Sequence, residues 1–415
     1  MVIVVADDFT GSAEIAGVGL RYSLRSKIFL NDEIFNFAGG ERFRKEDLDL
    51  IVISTDTRIM SEFESYNFIY HLTKQLRGLG GSFIYKKVDS ILRGNVYQEL
   101  RAMMDAYPFE KIILIPANPG LGRVIKDGFY MVNGQYIHQT SLAQDPDFFA
   151  KSSSVIEMLK AQGKKDVVIL KPGQSLENLE KPCIILGEAV SDSDLKLWVE
   201  KIDKDTLPAG GVEFFKSIIE SFSERFFLSG SVEKGVASNI LNGVTLFVCG
   251  SAISQSKVLQ NILAEFNLQV LSMPDDVFYD TESSNLKFEE WVESVKQYLS
   301  LYKFAAVAIN NKPIIKDRNF TKKLRQKLVD LTLQVFEGIK VNELFIEGGS
   351  TAHSILKNLG LKEFEPLDEL APGVIRMRPQ NFSDLYITVK PGSYNWPEQL
   401  LDLLLIKLKS GLSCL

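Results

Sequence analysis

Val2-Ile-Val-Val-Ala-Asp7-Asp8-Phe-Thr10-Gly11-Ser12 decides how this chain is read. A β-branched apolar run of this length is a buried strand, and the residues after it are those that open a helix. The pattern recurs. Apolar runs at residues 50–54, 82–85, 112–115, 167–170 and 184–186 are each followed by an amphipathic stretch, and a second series stands at 244–249, 305–309 and 343–346. Strands that alternate with helical stretches imply parallel pairing through crossover helices. The expected fold class is α/β, with two open, mostly parallel-sheet domains and an active-site cleft between them. Small and polar residues between 221 and 243 place the expected division at 1–240 and 241–415. Val132-Asn-Gly-Gln-Tyr136 reads differently, as a type I′ turn in a small antiparallel excursion between about 128 and 140.

Bulk properties narrow the function classes. At 415 residues the chain exceeds one ordinary hydrophobic core, and 45% hydrophobic with 24% charged residues suits a folded, not a disordered, chain. A net charge of -6 leaves no electrostatic footprint for nucleic acid. The 3 cysteines, Cys183, Cys249 and Cys414, lie far apart without CxxC spacing, so neither a zinc site nor a disulfide framework is expected. Two acids interrupt the N-terminal apolar run before a signal core forms, and no stretch reaches the about 18 apolar residues of a membrane span. The expectation is a cytoplasmic protein with small-molecule partners, no nucleic acid and no membrane; nothing in the sequence opposes a homo-oligomer.

Ligands of open α/β sheets bind beyond the carboxyl ends of strands. Asp7 and Asp8 emerge at the first such place; one acid can cap the following helix, and a second beside it calls for another role. Arg58 follows the next strand in Ser54-Thr-Asp56-Thr57-Arg58, where a planar guanidinium suits a carboxylate or phosphate. Lys86-Lys87-Val-Asp89-Ser90-Ile-Leu-Arg93-Gly94-Asn95 and Pro116-Ala-Asn118-Pro-Gly-Leu-Gly-Arg123 add further cations and polar groups. Across these loops Arg58, Lys86, Lys87, Arg93 and Arg123 outnumber Asp7, Asp8, Asp56 and Asp89, an arrangement expected to attract an anion. A small hydroxylated acid would set its carboxylate against the cations and its hydroxyls against the Asp, Ser and Asn groups.

The second half carries three glycine loops that let a backbone approach phosphate: Cys249-Gly250-Ser251, Glu347-Gly348-Gly349-Ser350-Thr351 and Lys390-Pro391-Gly392. Neither GxxxxGK[ST] nor a convincing GxGxxG after a strand is present, which argues against a P-loop kinase and against a dinucleotide-dependent oxidoreductase.

Asp7-Asp8-Phe9-Thr10-Gly11, Lys87 to Asn95, Pro116 to Arg123 and Gly348-Gly349-Ser350-Thr351-Ala352 occur in the order seen in four-carbon acid sugar kinases, and the chain resembles that family over nearly its whole length. The resemblance implies an N-terminal domain for an acid such as threonate, erythronate or an oxo-tetronate, and a C-terminal domain for ATP. It implies substrate contacts from Asp7, Asp8, Arg58, Lys87, Asp89, Ser90 and Arg93, and nucleotide contacts from Ser251, Gly348, Gly349, Ser350, Thr351 and Gly392. Phosphoryl transfer to an alcohol needs a carboxylate beside the attacking hydroxyl, cations for the transferred group and usually Mg2+. Asp8 is the first expectation for the base and Asp89 the second, with Lys87 or Arg93 offsetting charge; no metal ligand is named. Ser350 stands where the family commonly has an acid, and the last loop lacks a second glycine. A non-catalytic sensor of sugar acid and nucleotide with the same fold is the alternative.

Overall fold

Where apolar runs are long enough to be covered on both faces, the chain forms parallel strands. The computed structural model describes residues 1–31, 48–79, 83–140, 142, 152–226, 240–250, 257–309, 318–392 and 394–412. Two compact units result, Met1–Val232 and Glu233–Leu415.

In the first unit the strands are β1 (Val2–Ala6), β2 (Ser26–Leu30), β3 (Leu50–Ser54), β4 (Phe83–Lys87) and β5 (Lys111–Ile115), then β6 (Arg123–Lys126), β7 (Phe129–Val132) and β8 (Gln135–Tyr136), and finally β9 (Val167–Leu170), β10 (Cys183–Gly187) and β11 (Thr206–Gly210). The main sheet runs β2-β3-β1-β4-β11-β5-β10-β9, parallel throughout. Helix α1 (Phe9–Arg21) follows β1, α2 (Glu62–Leu76) follows β3 and α3 (Val96–Ala106) follows β4. Ile3, Val4, Val5 and all of β3 are buried, as continuous apolar strands require. The chain fills β2 and β3 on one side of β1 and then crosses to β4 on the other. The loops leaving β1, β3 and β4 therefore flank the point where strand order reverses, the usual ligand crevice.

β6, β7 and β8 form the expected antiparallel excursion, a separate small sheet. Asn133 (φ 49°) and Gly134 (φ 78°) both take the left-handed conformation that a type I′ turn demands. Strand β11 was not expected. It contains Pro208 and ends in Gly210, residues that argue against a central strand, yet it lies between β4 and β5. It pairs with β5 along its length but with β4 only at Ala209 and Gly210.

The second unit runs β12 (Thr245–Cys249), β13 (Leu271–Ser272), β14 (Phe304–Ala308), β15 (Glu343–Glu347), β16 (Glu363–Ala371), β17 (Val374–Pro379) and β18 (Tyr386–Lys390). Order β13-β14-β12-β15-β18 is parallel, and β17 and β16 extend it antiparallel. Phe247, Phe345 and Trp396 pack in its core, the two phenyl rings stacked with centroids 4.3 Å apart. Among the described residues no helix is long and apolar enough to cross a membrane.

Candidate active site

Strand β1 delivers Asp7 and Asp8, and the two side chains part company. Asp8 is the N-cap of α1: its Oδ1 accepts the Gly11 N–H at 2.8 Å, and its Oδ2 accepts the Thr10 hydroxyl at 2.6 Å. Ser12 does not cap; its hydroxyl donates back to the Asp8 carbonyl at 2.9 Å. Asp7 is left to face Arg58.

Arg58 is the hub. Asp56 takes a left-handed conformation (φ 53°) at the end of β3 and turns the chain into a short 3-10 segment, Thr57–Ile59. Thr55 ties this turn to β1 through its hydroxyl, which donates to the Ala6 carbonyl at 2.8 Å. Arg58 then spans three carboxylates: Nε donates to Asp7 Oδ2 at 2.9 Å, and Nη2 lies 3.0 Å from Asp8 Oδ1 and 3.4 Å from Asp89 Oδ1.

The loop after β4 supplies the third acid and a second guanidinium. Asp89 Oδ2 accepts from the Ile91 and Arg93 N–H groups, both at 3.2 Å, and from Arg93 Nε at 2.9 Å. Its Oδ1 accepts from Arg93 Nη2 at 2.7 Å, completing a bidentate pair. Lys87 Nζ donates to the Val88 carbonyl at 3.1 Å and lies 3.5 Å from Glu14 Oε2. Ser90 meets the small sheet: its hydroxyl accepts from Arg123 Nη1 at 2.7 Å, and its carbonyl accepts the Tyr130 hydroxyl at 2.6 Å.

Electrostatics follow from these contacts. Burial alone would push the Asp8 carboxyl up, but Arg58, Lys87 and the Thr10 hydroxyl outweigh it and hold the group below its usual range. Burial is likewise the largest influence on Asp89, yet Arg93, Arg58 and Lys87 together hold it well below the ordinary carboxylate range. Despite burial, the three acids raise Arg58 well above its usual value.

Two residues outside the expected set brace this site. The Asn95 amide donates to the carbonyls of Thr57 at 3.0 Å and Met60 at 2.9 Å, on either side of Arg58. Gly94 (φ 89°) lies so close that a Cβ there would stand 3.1 Å from the Arg58 Cα. Replacing Asn95 with Ala leaves two carbonyls without their donor and should lower stability by about 1–3 kcal/mol, read by urea unfolding. Lys86, counted in the sequence among the anion-attracting cations, is a correction. It is fully buried, with Nζ 2.6 Å from Glu99 Oε2 on α3, and Ser65 of α2 donates to Glu99 Oε1 at 3.1 Å. Its charge is spent inside the protein.

In the second unit the glycine loops leave neighbouring strands. Gly250 follows β12, Gly348 follows β15 and Gly392 follows β18, with Cys249, Glu347 and Lys390 in register. Gly250 N–H donates to the Glu347 carbonyl at 3.2 Å, and Gly348 N–H to the Lys390 carbonyl at 3.0 Å. Gly348 (φ 98°) turns the chain into the helix Gly349–Asn358, and among the described residues a Cβ there would meet only Thr351 Oγ1, at 3.8 Å. An open glycine face beside the N–H groups of a helix start fits a phosphate. Glu347 and Lys390 pair at 2.9 Å beneath these loops; burial raises the Glu347 carboxyl more than Lys390 lowers it. Ser251 lies outside the described residues. Among the described residues no group of three or more His, Cys, Asp or Glu is placed to hold a metal ion.

Comparisons with known proteins agree with this division. Residues 2–211 match the model of a sugar-binding N-terminal domain and residues 247–394 that of a nucleotide-binding C-terminal domain. A D-threonate kinase of Salmonella typhimurium is 24% identical over 97% of both chains, and a 3-oxo-tetronate kinase of Escherichia coli is 22% identical over 89% of this chain and 98% of its own. A D-erythronate kinase of Heliobacterium modesticaldum is 29% identical over 40% of this chain and 37% of its own. Crystal structures share the fold: a Salmonella typhimurium protein with TM-score 0.69, 18% identity and 97% of both chains covered, and a Haemophilus influenzae protein with TM-score 0.63, 16% identity and 97% and 100% covered. With both domain models matched in order and the Asp-rich crevice in the first of them, the chain belongs to the four-carbon acid sugar kinase family, the threonate, erythronate and oxo-tetronate kinases.

Proposed function

We propose that this protein transfers the γ-phosphoryl group of ATP to a hydroxyl of a small sugar acid of the four-carbon class, such as threonate, erythronate or an oxo-tetronate. The observation that carries the reading is the convergence of Asp7, Asp8, Arg58, Lys87, Asp89 and Arg93 where the strand order of the sugar-binding domain reverses. These groups and Ser90 receive the acid, while the Gly348–Thr351 turn and Gly392 receive the nucleotide phosphates. In the transfer, a substrate hydroxyl oxygen bonds to the γ-phosphorus as the bond from that phosphorus to the ADP oxygen breaks, and the hydroxyl proton passes to a carboxylate of the crevice. Lys87 and Arg93 oppose the negative charge of the transferred group. Mg2+ bound with ATP would supply further charge neutralisation for the transferred group. A reducing, ATP-rich cytoplasm suits both the cysteine usage and the cosubstrate.

The test is ADP release from Mg-ATP by the purified chain across D- and L-threonate, D- and L-erythronate and their 2- and 3-oxo forms. Release stimulated by one member supports the reading and identifies the acceptor. Silence across the panel, with acid and ATP both bound, refutes it in favour of a sensor.

A further inference from the structure

The hydrogen bonds of the crevice separate groups already committed to one another from groups with capacity to spare. Asp8 has both oxygens engaged, by Gly11 and Arg58 on one and by Thr10 on the other. Asp89 has both engaged too, by Arg93, Arg58 and two backbone N–H groups. Asp7 differs: Oδ2 takes Arg58 Nε, while Oδ1 is buried with no hydrogen-bond partner among the described residues. Burial does not distinguish the three acids, which are 2%, 3% and 5% exposed for Asp7, Asp8 and Asp89. Saturation does. A buried carboxylate oxygen left bare is costly, and a donor arriving with a ligand removes that cost.

The cations sort the same way. Arg58 is shared among three aspartates and Arg93 is bidentate on Asp89. Arg123, half-buried on β6, makes no ion pair among the described residues and spends one N–H on Ser90 Oγ. A guanidinium carries five donors, so most of its fork is available to a carboxylate.

From this we infer that Arg123 anchors the carboxylate of the substrate and that Asp7, rather than Asp8, accepts the proton of the attacking hydroxyl. The assignment rests on the kinase reading. The O–H proton moves to Asp7 Oδ1 as the oxygen bonds to the γ-phosphorus and ADP departs with the electron pair of the broken bond; the proton then returns to solvent. Asp8 keeps its place as the helix cap, and Arg58 holds Asp7 in position through Oδ2.

Initial-rate kinetics on the full chain, with whichever panel acid turns over, separate the two roles. Arg123→Met should raise the KM for the acid by about tenfold to hundredfold with kcat within about threefold of the parent, and Arg123→Lys should recover part of the loss. Asp7→Asn should lower kcat by about 100-fold to 10,000-fold with the acid KM little changed. Asp7→Glu, which retains the charge facing Arg58, covers the case in which Asp7→Asn fails to fold, and its kcat should fall at least tenfold because the accepting oxygen is displaced. An unchanged KM in Arg123→Met overturns the anchor, and a kcat near the parent value in either Asp7 variant overturns the acceptor. If the unsubstituted chain binds an acid by calorimetry but phosphorylates none, the kinase reading falls and the Asp7 role with it; the Arg123 role is then decided by whether Arg123→Met weakens that binding.

Discussion

Arg58→Ala is expected to destabilise the protein by about 3–5 kcal/mol, the usual cost of removing one partner from a buried ion pair. The Arg58 side chain is 14% exposed and holds three carboxylates that are nearly inaccessible to water. Without it, Asp7, Asp8 and Asp89 face one another with Lys87 and Arg93 as the remaining neutralising charges. Denaturant unfolding at neutral pH measures the loss. The pH dependence gives a second readout. Asp8 and Asp89 are depressed in the folded protein, so their stabilisation is fully present above the unfolded carboxylate value and is lost as pH falls through the depressed folded values. Removing Arg58 raises both folded values, so the acid unfolding midpoint should move to higher pH. An acid midpoint identical to that of the parent would show that Arg58 does not set the charge state of these acids.

Glu99→Leu should be comparably damaging, about 3–5 kcal/mol, for the opposite architectural reason. It strands the Lys86 ammonium, which is 0% exposed, with no acid beside it. The double variant Lys86→Met with Glu99→Leu removes both charges and replaces them with apolar volume, and should come within about 1 kcal/mol of the parent. Thermal or denaturant unfolding of the single and double variants forms the cycle. A double variant as unstable as the single would mean that the pair contributes packing that these apolar side chains do not restore.

The contrast between these two hubs shows what could be read from sequence. Strands β1 and β3 were legible because burial on both faces leaves a continuous β-branched run. The turn at Asn133-Gly134 was legible because few residues accept two successive left-handed positions. Strand β11 was hidden by Pro208 and Gly210, and it escapes the rule against a central proline because its pairing to β4 begins only at Ala209. Strands β16 and β17 were hidden by their charge. Glu363, Glu365, Asp368 and Glu369 break up the apolar pattern of β16, and in β17 Arg376 buries its guanidinium against Glu343, 2.6 Å away.

Within the crevice, composition and position after strands identified Asp7, Asp8, Arg58, Lys87, Asp89 and Arg93 as a set. Which acid saturates which cation was beyond reach, because Arg58 and Asp89 meet only through the pairing of β3, β1 and β4. Lys86 was misread for a related reason. A lysine at a strand end looks exposed, and its partner Glu99 is named only once α3 folds back over β4. One signal was present: Lys86 and Lys87 are adjacent on a strand and must point to opposite faces, so the two could not share one pocket.

The small sheet of β6, β7 and β8 bears on the crevice through Arg123 and Tyr130 at Ser90 while forming no part of the main sheet. The hairpin is nevertheless part of the packing of its unit, since Ile125, Tyr130 and Val132 are buried in the same hydrophobic cluster as residues of β1, β3 and β4. Varying this hairpin to redirect the protein toward other acids would therefore alter packing and the surroundings of Ser90 together, unless Ile125, Tyr130 and Val132 are held fixed.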